Sequence, residues 1–544
     1  MNSSENYYKV TAAWEHVDRR DWLMLTIIGT ALMLFLAFRL LLATGYALFD
    51  PDEAMSSIAG ATLLYGGLPY VDVMVHRGPL LYLWHGLVLA AFGPYSYTAI
   101  HWSCILYAIA CSGYLLRRVR LCFGRFTAAS TSIALLILAT VWICDEDLWA
   151  LNADLMMGAT AAAGFACLLQ PISSNPINRT RLALAGLLFG LAFTFKQNAF
   201  IFALVPGIVA LTAPGQKLRI GISCCIVSGI TFLVPFVAFA THYWSLGYWN
   251  EFWEGFYVYN SRYTTSTDIS LLKNMASVVQ PYGLFLLFPV LATVRLWRTK
   301  HQHNLGVILI WLLTALLVAT ATASSSSNYL WPLNFVIAVT TGITFNWLWR
   351  CRTLTSSWQR KGALAVTLVF MVLLGTRVIL GSVASVENID ILAAQTQKKV
   401  GGTAATFPDP ETVTRIIETA KEYTAESDTI FVMGGYAPEI HMLTQRPPAS
   451  RFVTGNFVEQ YYPGHFGPLG ITAERGDELL TDIKSSKPKL IFDPCELGYI
   501  CHDIDYVKEL LQAYLDKHYT EISEGIYLRD EHSVLAADNQ TLAN

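Results

Sequence analysis

The sequence predicts a multi-span α-helical membrane protein with a C-terminal α/β domain, and three observations support this fold class. Of the 544 residues, 54% are hydrophobic and only 14% are charged, a composition far from that of an ordinary soluble domain. Between Trp22 and Val386 eleven positions carry an acidic side chain, whereas residues 387–544 contain twenty-five of the forty acids. Lys and Arg collect between alternate apolar segments. We therefore expect a membrane domain over 1–385 and a soluble domain over 386–544.

Eleven apolar segments approach the length of about 20 residues that a transmembrane helix needs. They are residues 22–46, 96–116, 126–144, 154–170, 181–195, 199–213, 220–241, 278–294, 305–322, 329–348 and 363–381. With a cytoplasmic N-terminus, the inner loops carry eighteen Lys and Arg residues and the outer loops four. This bias predicts the orientation, and an odd number of spans then puts the C-terminal domain outside the cytoplasm.

The first predicted outer loop, residues 47–95, contains two short helical patterns. One covers 56–65 and ends at Gly66-Gly67; the other covers 79–92, with Pro near its start and Gly just past its end. The second is apolar but shorter than a span. We expect both helices to lie at the membrane interface.

The same loop carries an ordered series of motifs: Asp52-Glu53, Gly66-Gly67-Leu68-Pro69-Tyr70, Asp72 and His76-Arg77-Gly78-Pro79-Leu80-Leu81-Tyr82. The series resembles the first periplasmic loop of the GT-C glycosyltransferases, in the branch of the protein O-mannosyltransferases and lipid A aminoarabinose transferases. Gly190-Leu-Ala-Phe-Thr-Phe-Lys196, Asn328-Tyr329-Leu-Trp-Pro332 and the α/β tail resemble further parts of these enzymes. The resemblance implies transfer of a sugar from a polyprenyl-phosphate carrier to an acceptor hydroxyl, usually with inversion.

This reaction needs a general base for the acceptor and a cation for the departing phosphate. Asp52 is the candidate base, because it stands at the family's acidic motif, and Glu53 would orient Asp52 or the acceptor. The structural alternative is a solvated helix start, where Asp is a common cap.

Arg77 is the candidate cation for the leaving phosphate, which an arginine can hold through two aligned donors. A snorkelling interfacial arginine is the alternative. His76 is a candidate for binding phosphate or acceptor. Lys196 interrupts two apolar segments and needs a phosphate or carboxylate partner there. Tyr329 matches a family tyrosine near the carrier phosphate, although a Tyr at the end of a span is also typical of the aromatic belt.

A second acidic group, which includes Asp145 and Asp154, follows the third span. Together with Asp52 these oxygens could hold a divalent cation, Mg²⁺ or Mn²⁺. An acid-rich loop needs no metal, however, and no cofactor follows from the sequence with certainty. Asp154 is also a candidate for acceptor binding.

Two further features concern the predicted outer side. Residues 242–277 are rich in Tyr and Trp, including Tyr259, a composition that suits sugar stacking as well as interfacial anchoring. Cys495 and Cys501 lie in the predicted exported domain, where an oxidising compartment favours a local disulfide over two free thiols.

One departure from the family pattern concerns the donor. The aminoarabinose transferases have an arginine two residues after the Asp-Glu pair, and Met55 stands there in this chain. The expected partners are a polyprenyl-phosphate sugar, a glycan, lipid or protein acceptor, and membrane lipids, with no nucleic acid. The alternatives are an oligosaccharide transferase or polymerase that uses lipid-linked chains, a lipid or sugar transporter, and an inactive scaffold.

Overall fold

The protein was analysed as a computed structural model, which describes residues 51–142, 153–171, 178–212, 217–261, 275–276, 280–299, 301–320, 330–351, 410–433, 437–453, 473–499 and 505–530. The chain divides into two compact units. The helical unit contains Met1–Tyr46, His101–Gly247 and Ile269–Ser385, and the mixed unit contains Ala47–Ile100, Tyr248–Asp268 and Val386–Asn544. The mixed unit therefore combines the first predicted outer loop, the Tyr- and Trp-rich segment and the C-terminal residues.

Twelve α-helices are described before residue 352. They are α1 (Pro51–Leu64), α2 (Pro79–Phe92), α3 (Tyr97–Phe123), α4 (Arg125–Trp142), α5 (Ala153–Leu168), α6 (Arg179–Phe195), α7 (Val205–Thr212), α8 (Leu218–Ser245), α9 (Trp249–Trp253), α10 (Leu287–Arg298), α11 (Gln302–Thr320) and α12 (Trp331–Cys351). Gln197–Leu204 and Gln280–Leu286 are 3₁₀-helices, and Glu254–Val258 is a π-helix. Among the described residues, α3, α8 and α11 are long and apolar enough to cross a membrane.

Most predicted spans correspond to helices, but two do not form one continuous α-helix. The predicted span 199–213 is a 3₁₀-helix followed by α7, whose second residue is proline. Within the predicted span 278–294, Gln280–Leu286 is a 3₁₀-helix that contains Gly283 at φ 47°, a conformation no regular helix uses. The first and last predicted spans, 22–46 and 363–381, lie outside the described residues, so the count of eleven stays a prediction.

Aromatic side chains form the core of the helical unit around Phe165 of α5. Its ring stacks on Trp311 of α11 at 4.7 Å between centroids and meets Phe189 of α6 edge-on at 5.0 Å. Phe202 of the first 3₁₀-helix contacts both phenylalanines. All sixteen residues of α5 are buried, so this helix lies at the centre of the unit.

Helices α6 and α8 approach each other closely through two glycines spaced four residues apart. A Cβ atom at Gly186 would lie 2.3 Å from the Ser228 carbonyl oxygen, and one at Gly190 would lie 2.1 Å from the Phe232 carbonyl oxygen. Gly-x-x-x-Gly spacing lets two helix backbones pack together where the hydrophobic effect gives little drive for association. The sequence contains this motif as Gly186-Leu-Leu-Phe-Gly190.

In the mixed unit, α1 and α2 also pack against each other at glycines. A Cβ atom at Gly60 would lie 2.6 Å from the Cβ of His85 and 2.7 Å from the nitrogen of Gly86. The Ser57 hydroxyl lies 3.1 Å from Nδ1 of His85, which is buried. Helix α2 has the predicted bounds, whereas α1 begins at Pro51, five residues before the predicted start.

The C-terminal residues form a four-stranded sheet with order β1-β2-β4-β3, where β1 is Ile430–Val432, β2 is Leu490–Phe492, β3 is Tyr519–Ser523 and β4 is Ile526–Arg529. Strands β1 and β2 are parallel, and the other pairs are antiparallel. Four helices accompany the sheet: α13 (Pro410–Tyr423), α14 (Glu439–Thr444), α15 (Ala473–Ser486) and α16 (Asp505–His518). Helices and strands both contribute to this part of the chain, which ends with the β3–β4 hairpin.

Substitution of Gly190 tests the close contact between α6 and α8. We expect Gly190→Ala to destabilise the protein by about 1–3 kcal/mol, because the added methyl group forces two backbones apart. The measurement is thermal unfolding in detergent. Gly229→Ala on α8 is the matched control, since a Cβ atom there meets nothing within 4 Å. Equal melting temperatures for the two variants would contradict the packing described.

Candidate functional site

The two acidic candidates, Asp52 and Glu53, lie in the first turn of α1. Proline is favoured at the first helical position, and carboxylates are stabilised near the positive end of the helix dipole. Glu53 is buried, with 1% of its surface exposed, whereas the Asp52 side chain keeps 20% exposure. Asp52 is therefore the more accessible of the two carboxylates.

Arg77 forms an ion pair with Asp52, twenty-five residues earlier in the chain. Its Nη2 atom donates to Oδ2 of Asp52, and 11% of the arginine side chain is exposed. A guanidinium carries five N–H donors in a planar fork, so it can hold a carboxylate on one edge and a second anion on another. The structure brings the proposed base and the proposed leaving-group cation into direct contact.

Two tyrosine hydroxyls hold the backbone of Arg77. The Tyr70 hydroxyl donates to the Arg77 carbonyl oxygen, and the Arg77 amide donates to the Tyr82 hydroxyl, both at 2.6 Å. The two rings meet edge-on at 5.6 Å. Tyr70 has φ 70°, a left-handed conformation that a residue with a Cβ rarely adopts. Such strained positions persist only where the surrounding structure fixes them.

His76 lies beside Tyr259, which belongs to the segment after the π-helix. Both side chains are 6% exposed, and their ring centroids are 5.3 Å apart. Asn260 donates from Nδ2 to the His76 carbonyl oxygen at 2.7 Å. The segment that carries His76 and Arg77 is therefore held from two sides, by the tyrosines of its own loop and by residues 259–260.

C-terminal residues complete this arrangement within the mixed unit. The Met74 amide donates to the Arg451 carbonyl oxygen at 2.8 Å, and Arg475 of α15 forms an ion pair with Glu254 of the π-helix. A Cβ atom at Gly255 would lie 2.5 Å from the Tyr70 ring and from the Val75 carbonyl oxygen, so only glycine fits there without displacement. π-Helical turns are frequent near functional sites.

The other two charged candidates, Lys196 and Asp154, pair with each other inside the helical unit. Lys196 has extended backbone between α6 and the first 3₁₀-helix, and its Nζ lies 2.5 Å from Oδ2 of Asp154 in the first turn of α5. Both residues are buried, at 4% and 2% exposure. The sequence predicts a phosphate or a carboxylate as the partner of this lysine, and in the structure the partner is the carboxylate of Asp154.

Several predicted site residues lie outside the described residues: Tyr329, Asp145 and Cys501. Cys495 is disulfide-bonded, and its pairing with Cys501 stays a prediction. Among the residues that the structure describes, no group of three or more His, Cys, Asp or Glu side chains could hold a metal ion. Asp52 and Asp154 each have a basic partner in the structure, and a divalent cation held with Asp145 stays a prediction.

Sequence reasoning did not assign roles to Tyr70, Tyr82 or Asn260. The two tyrosines are the last residues of the motifs Gly-Gly-Leu-Pro-Tyr and Pro-Leu-Leu-Tyr. Their place in these motifs is the only feature of the sequence that could have indicated a role for them. Asn260 follows Tyr259 in an aromatic segment that interfacial anchoring also explains. Its contact with His76 joins residues 184 positions apart and has no signal in one sequence.

No protein-family model matches this chain, and no curated protein matches its sequence. Solved structures do. ArnT from Cupriavidus metallidurans in the apo state has a TM-score of 0.56 at 14% identity, over 92% of this chain and 98% of that one. The same protein bound to undecaprenyl phosphate has a TM-score of 0.55 at 14% identity, over 93% and 99%.

A third solved structure is the archaeal oligosaccharyltransferase AglB from Archaeoglobus fulgidus, at 11% identity and a TM-score of 0.46 over 92% of this chain and 74% of that one. Its similarity is too low to support an argument. The match to ArnT shows the fold: the chain has the GT-C architecture of a multi-span helical membrane protein, as its motifs predicted.

Substitutions of the buried Lys196–Asp154 pair separate its structural role from a role in activity. We expect Lys196→Met to destabilise the protein by about 3–5 kcal/mol, because it leaves a buried carboxylate without its ammonium partner. The double variant Lys196→Met/Asp154→Leu should recover most of this loss. Thermal unfolding in detergent measures both, with Lys217→Met, at an exposed lysine, as the control.

Two outcomes of that experiment are informative. A double variant as unstable as the single variant would contradict the assignment of the pair as mutually compensating charges. A double variant that is stable but inactive would give the pair a role in the reaction beyond folding.

Proposed function

We propose that this protein is an integral-membrane, inverting glycosyltransferase. It moves a sugar from a polyprenyl-phosphate carrier to a hydroxyl group of an envelope glycan, a lipid or a protein on the outer face of the membrane. The observation that carries the proposal is the Asp52–Arg77 ion pair at the start of α1. It combines a partly exposed carboxylate with a cation whose backbone is fixed by two tyrosines.

In the proposed reaction, the acceptor hydroxyl oxygen attacks the anomeric carbon of the donor sugar as the bond from that carbon to the phosphate oxygen breaks. The Asp52 carboxylate takes the hydroxyl proton, and the bonding electrons leave with the phosphate. Negative charge grows on the phosphate in the transition state, where a guanidinium at Arg77 stabilises it. Attack opposite the leaving group inverts the anomeric centre.

The hydrogen bonds around Arg77 favour this assignment over a snorkelling arginine. A snorkelling side chain keeps its charge in water, whereas 11% of the Arg77 side chain is exposed and its guanidinium contacts Asp52. The contacts from Tyr70 and Tyr82 fix the main chain on both sides of this residue. A preorganised cation needs no rearrangement when the phosphate charge develops.

The carrier is proposed from the fold match. ArnT has been solved with undecaprenyl phosphate bound, and a lipid-linked donor also suits a chain with long apolar helices. We also propose that the chain has eleven spans and that its C-terminal domain lies outside the cytoplasm. The distribution of Lys and Arg supports this orientation. His76, Tyr259 and Tyr329 are proposed to contact donor or acceptor. Lys196 and Asp154 are proposed to stabilise the helical unit through their ion pair.

The central test compares Asp52→Asn with Asp72→Asn. Asp72 belongs to the same loop, where its carboxylate accepts from the Leu68 amide at 2.6 Å and closes a local turn. We expect Asp52→Asn to lower kcat by about 10²–10⁴-fold, because an amide cannot take the acceptor proton, and Asp72→Asn to leave kcat within about threefold of wild type. Release of polyprenyl phosphate from a panel of polyprenyl-phosphate sugars measures turnover.

Equal turnover by wild type and Asp52→Asn would remove Asp52 as the base.

Arg77 is tested in the same assay: Arg77→Lys should retain more activity than Arg77→Gln, because the ammonium keeps the charge and loses the two-donor geometry. Absence of turnover with every donor and acceptor tested would count against the proposed reaction as a whole.

A further inference from the structure

A cavity of about 360 Å³ lies in the mixed unit, apart from the Asp52–Arg77 pair. Its walls come from the end of the α1 segment, from the turn between α2 and α3, and from two points of the C-terminal part. This volume falls within the range of about 300–1,000 Å³ that is typical of small-molecule sites.

Aromatic rings form one part of the wall. Tyr65, Phe92 and Tyr95 line the cavity together with Pro94. Tyr65 and Phe92 are unusually exposed for such large side chains, at 64% and 70%. Gly93 has φ 106°, which turns the chain sharply at the end of α2 and brings residues 92 and 95 to the same cavity. Rigid rings beside open space are typical of sites that bind flat, partly apolar ligand faces.

Hydrogen-bonding groups also line the cavity. Ser96, Glu426 and Gln445 contribute a hydroxyl, a carboxylate and an amide. No lysine, arginine or histidine lines the cavity among the described residues. Burial, followed by the neighbouring Tyr65, raises the pKa of Tyr95, whereas Arg446 lowers it in part. The cavity therefore suits a polyhydroxylated ligand without negative charge.

Gln445 gives an independent reason to assign a ligand to this cavity. It ends α14 at φ 57° and ψ 42°, a left-handed position that usually holds glycine or asparagine. A glutamine there is strained, and such strain concentrates at binding sites. Gln445 lines the cavity, and its side chain does not cap the helix. The capping hydrogen bond comes from its backbone amide, which donates to the His441 carbonyl oxygen.

We propose that this cavity binds an uncharged saccharide, with its C–H face stacked on the tyrosine rings and its hydroxyl groups bonded to Glu426 and Gln445. The ligand class follows from the pairing of aromatic rings with a carboxylate and an amide. The carboxylate would repel a phosphate, and the amide would not neutralise its charge. If the proposed glycosyl transfer is correct, on which this assignment as a substrate site rests, the saccharide is part of the acceptor.

Binding is measured without turnover, so this proposal and the proposed reaction can fail separately. Full-length protein in lipid nanodiscs is applied to a microarray of defined mono- to tetrasaccharides, both uncharged and anionic, with no donor lipid present. The dissociation constant of the strongest uncharged binder is then determined by ligand-observed NMR. We compare wild type with Tyr65→Ala, Glu426→Gln and Gln445→Gly, and use Tyr423→Ala as a control, since this exposed tyrosine does not line the cavity.

Binding of uncharged saccharides that weakens about five- to tenfold in Tyr65→Ala and Glu426→Gln, but not in Tyr423→Ala, is the expected result. Gln445→Gly should weaken binding while its melting temperature stays equal or rises, because glycine relieves the left-handed backbone. A merely structural glutamine would not give this combination.

Three binding results would overturn the proposal, and a fourth result concerns retention in the membrane. The three are no binding to any uncharged saccharide, stronger binding to anionic saccharides, and saccharide binding unaffected by every cavity variant. If Tyr65→Ala instead lowers only the retention of the protein in lipid vesicles, Tyr65 is an interfacial anchor and the proposal fails. None of these results bears on whether Asp52 acts as a base.

Discussion

Charges withdrawn from water need partners, and this constraint acts inside each of the two units. In the mixed unit the constraint joins Asp52 to Arg77, and in the helical unit it joins Lys196 to Asp154. The two pairs differ in exposure. The buried Lys196–Asp154 pair fits a role in holding helices, because charges this deep are costly to separate. The Asp52 carboxylate keeps 20% exposure, which leaves it accessible for the role of base proposed above.

The close approach of helix backbones is the second constraint, and glycines satisfy it at the helix contacts described above. Gly186 and Gly190 allow α6 to contact α8, and Gly60 allows α1 to contact α2. Gly255 does the same for the π-helix beside Tyr70. In a membrane the apolar surface gives little drive for helix association, so packing of this kind has to supply it. The position of Arg77 thus depends on glycines that have no chemical role.

The C-terminal residues are part of the unit that contains the proposed site. The Arg451 carbonyl oxygen and the Arg475 side chain hold the segments around Met74 and Glu254, and the proposed saccharide cavity takes Glu426 and Gln445 from the same region. The C-terminal part therefore holds the segments around Met74 and Glu254, and under the proposed function it also supplies side chains for an acceptor. Its removal would therefore affect the site and not only solubility.

The sequence by itself determined the fold class, because apolar segment lengths, the placement of acids and the ordered motifs after Asp52 are local properties of the chain. It also singled out Asp52, Arg77, Lys196 and Asp154, since charges next to apolar segments are conspicuous. Only the tertiary structure decided which charge pairs with which. It also showed the two tyrosine hydroxyls that hold Arg77, the contact of Asn260 with His76, and the membership of 47–100 and 248–268 in the unit of the C-terminal residues. The contact of Asn260 with His76 and the unit membership join positions far apart in the chain, and the two tyrosine contacts depend on how a single loop folds. No periodicity or spacing in one sequence specifies any of them.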